Sequence, residues 1–114
     1  MSLDVTLTKT IPTEVYTSNI THNLSKMAEQ VVVWPSNLTL RDVLWYPREK
    51  GLYYARDIAE MLDEAFSILL ADPDRFKTYN PENGWGNYEN LVSFVYNYRN
   101  ACWDTPDAEI GVSR

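Results

Sequence analysis

The sequence is poor in cysteine, histidine and glycine, and these shortages exclude several kinds of site. Cys102 is the single cysteine, so no disulfide can form within the chain. His22 is the single histidine, and neither H-x-x-x-H nor C-x-x-C spacing is present, which leaves no zinc ligand set. The glycines at 84 and 86 lack the following Lys-Ser/Thr of a phosphate-binding loop. We therefore expect no metal centre and no cofactor.

Positive charge and long apolar runs are also scarce. The chain has 10 Lys and Arg against 16 Asp and Glu, and this net charge of −6 argues against nucleic acid as a partner. No uninterrupted apolar run exceeds four residues, far below the ~20 residues of a membrane helix. The first residues lack the basic and apolar regions of a signal peptide. We expect a cytoplasmic protein that binds neither membranes nor nucleic acid.

What the chain does contain is typical of a folded domain rich in aromatic rings. Its 114 residues, 45% of them hydrophobic, predict a single domain spanning residues 1–114. Four Trp and eight Tyr supply rings with polar edges, which suit both cores and contact surfaces.

Strand patterns occur at the two ends of the chain. Residues 4–10 alternate apolar and threonine side chains, as in a half-buried strand, and Pro12 is expected to end it. Ala108, Ile110 and Val112 alternate in the same way near the other end. We expect these strands to pair, most easily antiparallel. Because a two-stranded ribbon is marginal in water, it also requires packed helices, a third strand or another subunit.

Helical spacing fills the region between these strands. The spacing of Ile20, Leu24, Met27 and Val31 predicts a first helix, capped by Ser18 or Asn19. Residues 31–34 fit either the end of that helix or a short strand. Thr39 and Asp42 resemble a capping box for a short helix that Pro47 stops.

Longer apolar stripes predict helices over 54–70 and 88–102, with a further turn after Asp72. The fold class is therefore α+β: a small, mainly helical domain of three to four helices with a short sheet joining its terminal strands.

The stretch N-P-E-N-G-W-G-N-Y-E-N-L, residues 80–91, is the most unusual in the chain. Asn83-Gly84 supplies the positive φ angle of a tight turn, and Asn87 is a fair N-cap for the last helix. Trp85 has no such local explanation. It either plugs a groove on the domain or presents its ring outward, and we expect the plug because exposed Trp is scarce.

Several segments together resemble a family of small hypothetical proteins encoded by bacteriophages and prophages. They are T-S-N-I-T-H-N-L-S-K-M-A, L-W-Y-P, D-P-D-R-F, N-P-E-N-G-W-G-N-Y-E-N-L-V-S-F-V and D-A-E-I-G-V-S-R. Tyr46 stands where the family pattern has Arg, and residues 31–40 depart from it. The resemblance implies expression in bacterial cytoplasm and supplies no catalytic residue.

The candidate binding residues are those that hydrogen-bond, stack or carry positive charge in or near these motifs: His22, Asn23, Trp85, Asn87, Tyr88, Arg99 and Arg114. They favour a non-enzymatic binding protein for an unknown protein or a small nucleotide-like ligand. In one version, the protein antagonises host defence by sequestering a nucleotide signal, with an arginine meeting phosphate. That version places His22, Trp85 and Tyr88 in one recess, which self-association could complete.

Three other interpretations stay open. His22 could act as a general acid or base, although neither Cys102 nor any carboxylate is placed beside it by spacing. Alternatively, the chain could be a structural or assembly protein of the phage particle. The candidate residues could also serve only to cap helices and fill the core, with Cys102 an inert buried thiol.

Overall fold

The structure is a computed structural model that describes residues 1–9 and 14–114. It confirms the α+β class: a three-stranded antiparallel sheet pairs the N- and C-terminal strands, and five α-helices accompany it within the described ranges. Strand β1 is Ser2–Thr8, β2 is Glu14–Thr21 and β5 is Glu109–Ser113, in the spatial order β2-β1-β5. The first strand therefore lies at the centre, and the other two form the edges.

Strand β1 forms as its alternation predicts. Leu3, Val5 and Leu7 are fully buried on one face, and the intervening polar residues point to the other. The predicted antiparallel pairing with the C-terminal strand is confirmed, with Val5 opposite Val112 and Leu7 opposite Ile110. The predicted strand end at Pro12 lies outside the described residues.

The helix predicted to begin near Ser18 is wrong in its first part, because Glu14–Thr21 is strand β2. Ile20 is buried opposite Leu3, so it belongs to the sheet's inner face and not to a helical stripe. The helix that follows is short: a 3-10 turn, His22–Leu24, leads into α1, Ser25–Glu29. Thr21, not Ser18 or Asn19, caps that turn. The β-branched residues of β2 prefer a pleated surface, and pairing with β1 satisfies its backbone.

The segment after α1 resolves the ambiguity at residues 31–34 in favour of a strand. Val32–Val33, β3, pairs with Leu38–Thr39, β4, in a small hairpin. The capping box is confirmed: Thr39 Oγ1 accepts from the Asp42 N–H at 3.2 Å, and Asp42 accepts from the Thr39 N–H at 3.0 Å. Helix α2, Leu40–Trp45, ends two residues before Pro47, as predicted.

The two long helices are also confirmed, as α3, Ala55–Ala71, and α5, Tyr88–Asp104. Asp72 caps the extra turn α4, Pro73–Lys77. Helix α5 packs beside both α3 and β2, and the Tyr98 ring stacks on Tyr16 of β2 with centroids 5.8 Å apart. Across 1–9 and 14–114, no helix has the length and apolar character needed to cross a membrane.

Candidate binding groove

A groove runs between the edge strand β2 and helix α5. Two cavities of about 380 and 480 Å³ form it, and Ser18 and Asn97 line both of them. Consecutive residues from Val15 to Thr21 line one side, so the strand presents its backbone edge as well as its side chains. Phe94 and Ile20 supply apolar surface at its Trp85 end.

The α5 wall is a stripe of small polar side chains. Its members recur every three or four residues along the helix: Asn90, Ser93, Asn97, Asn100 and Asp104. Asparagine is a poor choice for a helix interior, because its side chain competes for backbone groups. Ser93 and Asn97 make no side-chain hydrogen bond within the described part of the chain, so their donors and acceptors face the groove unused.

The β2 wall offers unpaired backbone groups at regular intervals. The His22 N–H donates to the Met1 carbonyl at 3.3 Å, which fixes that pair as hydrogen-bonded in the antiparallel ladder. Because such pairs alternate, Ile20, Ser18 and Tyr16 also bond to β1. The N–H and C=O groups of the residues between them point to the other side. Those of Thr17 and Asn19 therefore face the groove.

The alternation of hydrogen-bonded pairs also predicts which backbone groups of β5, at the opposite edge of the sheet, bond to β1. That prediction agrees with a separate hydrogen bond. Thr6 and Thr8 bond to β5, so Gly111 and Glu109 point inward to β1 and Ile110 points outward. The Ile110 N–H indeed donates to the Tyr53 carbonyl at 2.8 Å, on the side away from β1. The assignment of free groups on β2 therefore rests on two observations at opposite edges.

Trp85 stands at one end of the groove with 69% of its surface exposed. The prediction that it plugs the core is wrong, and the reason lies in the glycine beside it. Gly86, at φ 95°, approaches so closely that a Cβ there would lie 2.7 Å from Thr21 Cγ2 and 3.1 Å from Leu24. The Gly86 backbone, and not the Trp85 indole, therefore packs against the end of β2. The Asn83 side chain holds the turn by accepting from the Trp85 N–H at 2.9 Å.

Asn87 and Tyr88 lie next to the groove and have structural roles. Asn87 caps α5 as predicted, and its side chain and that of Asn90 exchange hydrogen bonds with each other's backbone, both at 2.9 Å. Tyr88 is buried, and its hydroxyl donates to the Leu69 carbonyl at 2.5 Å. Desolvation raises the pKa of the Tyr88 phenol, so it stays protonated as that donor.

His22 and Asn23 lie just beyond the end of β2 and do not line the groove. The His22 ring packs edge-on against Trp45 with centroids 6.2 Å apart, and its buried Nε2 has no hydrogen-bond partner among the described residues. Asn23 is exposed and donates to the Thr21 hydroxyl at 3.2 Å. Among the described residues, no carboxylate or thiol is hydrogen-bonded to this Nε2.

The two candidate arginines lie elsewhere and are paired with carboxylates. Arg99 donates to Asp63 of α3, whose second oxygen accepts from the Trp103 indole at 3.2 Å. Arg114 donates to Glu49 at 2.7 Å and to the Trp45 carbonyl at 3.0 Å. The structure therefore does not bring His22, Trp85, Tyr88 and an arginine together in one recess. Of the seven candidate residues, Trp85 alone is among those that line the groove.

Cys102 is buried within α5, and desolvation raises the pKa of its thiol to about 12. The expectation that this thiol is buried is confirmed, and a thiol that stays protonated is a poor nucleophile. Over residues 1–9 and 14–114, no three His, Cys, Asp or Glu side chains converge as a metal site would require. Comparisons with protein-family models, with curated proteins and with solved structures each gave no match.

Proposed function

We propose that this chain is a non-enzymatic binding protein whose recognition site is the groove between β2 and α5. One observation carries the proposal: both walls hold hydrogen-bonding groups without partners in the described ranges, and an exposed indole stands at one end. Trp34 and Trp103 are also exposed, and Trp85 is the exposed Trp that lines the groove. Trp is enriched among the residues that contribute most to binding at protein interfaces. The groove is therefore equipped to hold a guest rather than to transform one.

The lining chemistry favours a guest without phosphate. Recognition of phosphate uses arginine or lysine, or free N–H groups at a helix N-terminus. The N-terminus of α5 lies at the Trp85 end of the groove, but its Asn87 and Asn90 N–H groups are already bonded to each other's side chains. The side chains that line this groove are neutral apart from Asp104, and Arg99 and Arg114 are paired with carboxylates away from it. A nucleotide signal would lack a counter-charge here, so we favour a neutral or basic guest.

The biological setting is part of the proposal and follows from the family resemblance. The resemblance implies expression from a phage or prophage in bacterial cytoplasm. We therefore propose that the guest is a bacterial or phage component present in the host cytoplasm.

Filling the groove tests this function. Asn97→Trp places an indole in the middle of the cavity, whereas Glu64→Trp adds the same group to an exposed position on α3 and serves as the control. Each immobilised protein is incubated with lysate of a phage-infected host, and eluates are analysed by mass spectrometry for proteins, peptides and small molecules. Circular dichroism verifies that both variants fold.

We expect at least one species to be retained by the wild type and by Glu64→Trp and lost with Asn97→Trp. Equal retention by Asn97→Trp, or no species retained above a blank resin, would contradict the proposal.

A further inference from the structure

We propose that the guest is an extended peptide that adds to β2 as a fourth strand of the sheet. This inference rests on the proposed function and names the chemistry of its ligand. Thr17 and Asn19 each direct one N–H and one C=O into the groove, two residues apart. An extended polypeptide presents donors and acceptors at the same interval, so its backbone matches this edge.

The dimensions of the groove set the length of the guest. Seven residues of β2, from Val15 to Thr21, line it, and a strand rises roughly 3.4 Å per residue, which gives an edge of about 20 Å. A guest of about seven residues covers that edge at the same rise per residue.

Side chains of the guest alternate between two surfaces. Those directed toward α5 meet the amides of Asn90 and Asn97 and the hydroxyl of Ser93, which suit small or polar groups. At one end they meet Trp85, which suits an aromatic or aliphatic anchor, and at the other Asp104, which suits a basic group. Because the two ends of the groove differ, they set which end of the peptide binds at each.

A second copy of the chain fits this edge less well than a single extended peptide. Helix α5 walls the groove beside β2, and a partner strand must lie about 4.8 Å from β2. A second β2 would bring its own α5, about 10 Å across, into the space that the first α5 occupies. One unaccompanied strand avoids that collision.

The test begins with a random heptapeptide library displayed on phage and selected on the wild-type protein. The best binder is resynthesised with a single N-methyl group at each position in turn, and the affinities are measured by titration calorimetry. Because alternate amides of an added strand point to β2, we expect alternate N-methyl groups to weaken binding about tenfold or more. Methyl groups at the intervening positions are expected to have little effect.

Two variants of the protein examine the same contact from the other side. Thr17→Pro removes an N–H that faces the groove, whereas Thr17→Ala keeps it. We expect Thr17→Pro to weaken the selected peptide about tenfold or more and Thr17→Ala to leave it within about twofold.

Three results would overturn strand addition. One is that no heptapeptide is selected. Another is that binding is insensitive to N-methylation and to Thr17→Pro but is lost with Asn97→Trp. The groove would then still be the binding site, but the peptide would not bind as an added strand. The third is a dimer in sedimentation velocity that Thr17→Pro dissociates, since a second copy would then occupy the edge. Because the N-methyl scan uses the wild-type protein, it decides the matter even if Thr17→Pro does not fold.

Discussion

The two edges of the sheet are treated in opposite ways. At the β5 edge, the outward N–H of Ile110 bonds to Tyr53 and its carbonyl accepts from Arg48 at 3.1 Å. Tyr54 adds an antiparallel bridge to Glu109 at the same edge. At the β2 edge, no backbone group of another described element, β1 excepted, bonds to the residues between Glu14 and Thr21.

This difference shows that the chain is able to cover an edge and does so on one side only. Natural sheets protect exposed edges with charge, proline, bulges or a covering segment, because unpaired strands recruit other chains. Strand β2 has eight residues and contains no Lys and no Pro. Its one charged side chain, Glu14, and the one irregularity in its pairing with β1 both lie at its start, so the edge from Tyr16 to Thr21 is regular and uncharged. An edge left open and neutral beside a polar groove is suited to controlled pairing with a partner.

The largest expected effect is a difference in stability between proline substitutions at two neighbouring residues of β2. Ser18→Pro removes an N–H that bonds to β1 and leaves a central-strand carbonyl without its donor, so we expect a loss of about 3 kcal/mol in the free energy of unfolding. Thr17→Pro removes a free N–H and should cost about 1 kcal/mol or less. Urea denaturation of both variants measures the difference. Equal damage would mean that the Thr17 N–H is already bonded.

Gly86→Ala should have the next largest effect, because it disturbs the contact that holds the Trp85 turn against β2. The added Cβ meets Thr21 Cγ2 at 2.7 Å on a backbone at φ 95°, and we expect a loss of about 2–3 kcal/mol. Gly84→Ala has a similar φ of 76° with open space around it, and should cost about 1 kcal/mol. Thermal unfolding compares the pair. Equal losses would show that the contact with Thr21 does not matter.

Uncovering the β5 edge should have a moderate effect. Arg48→Ala deletes the hydrogen bonds to the Ile110 carbonyl and to Glu109, both half-exposed contacts, so we expect a loss of about 1 kcal/mol. The exposed Lys50→Ala, two residues away, is the control, with an expected change below about 0.5 kcal/mol. Chemical denaturation tests both. Stability unaffected by the Arg48 substitution would mean that this side chain does not protect the edge.

Trp85→Ala should leave the fold almost unchanged. With its ring 69% exposed, we expect a change in unfolding free energy below about 0.5 kcal/mol. Affinity for the selected peptide should fall about 30-fold, as for a Trp anchor at an interface. Calorimetry and thermal unfolding on the same sample separate the two effects. A large loss of stability with intact binding would reverse the roles that we assign to this ring.

The smallest effect concerns the ion pair of Arg114, after β5. Its hydrogen bond lowers the pKa of Glu49 from an ordinary value of 4.5. A lowered pKa in the folded state stabilises the fold above pH 4.5, and this contribution is lost as the pH falls through the lowered value. The melting temperature of the wild type should slightly exceed that of Glu49→Gln at pH 7, with the gap closing below pH 4.5. A gap that widens in acid would contradict this sign.

Local patterns made much of the fold predictable. The buried face of β1, the pairing of the terminal strands, the capping box at Thr39 and the two long helices each follow from periodicity or from one turn of backbone. Strand β2 was missed because Ile20 and Leu24 are one helical turn apart by coincidence. A strand at an edge is defined by its neighbour, and the pairing of Ile20 with Leu3 is non-local.

The site was less predictable than the fold. Trp85 stands out in the sequence, but its exposure depends on how closely Gly86 approaches Thr21, a contact between distant parts of the chain. The sequence does carry a signal for the α5 wall: asparagines at 90, 97 and 100 repeat at helical intervals where better helix formers are usual. No sequence pattern indicates which side of β2 is free, because that depends on the order of strands in the sheet.

Amide hydrogen exchange, read residue by residue by NMR on the unliganded protein, tests the open edge most directly. We expect the amides of Thr17 and Asn19 to exchange rapidly, while those of Ser18 and Ile20, bonded to β1, and of Ile110, covered by Tyr53, exchange slowly. Slow exchange at Thr17 and Asn19, comparable to that at Ile110, would mean that the β2 edge is already occupied and would contradict its proposed role as a binding site.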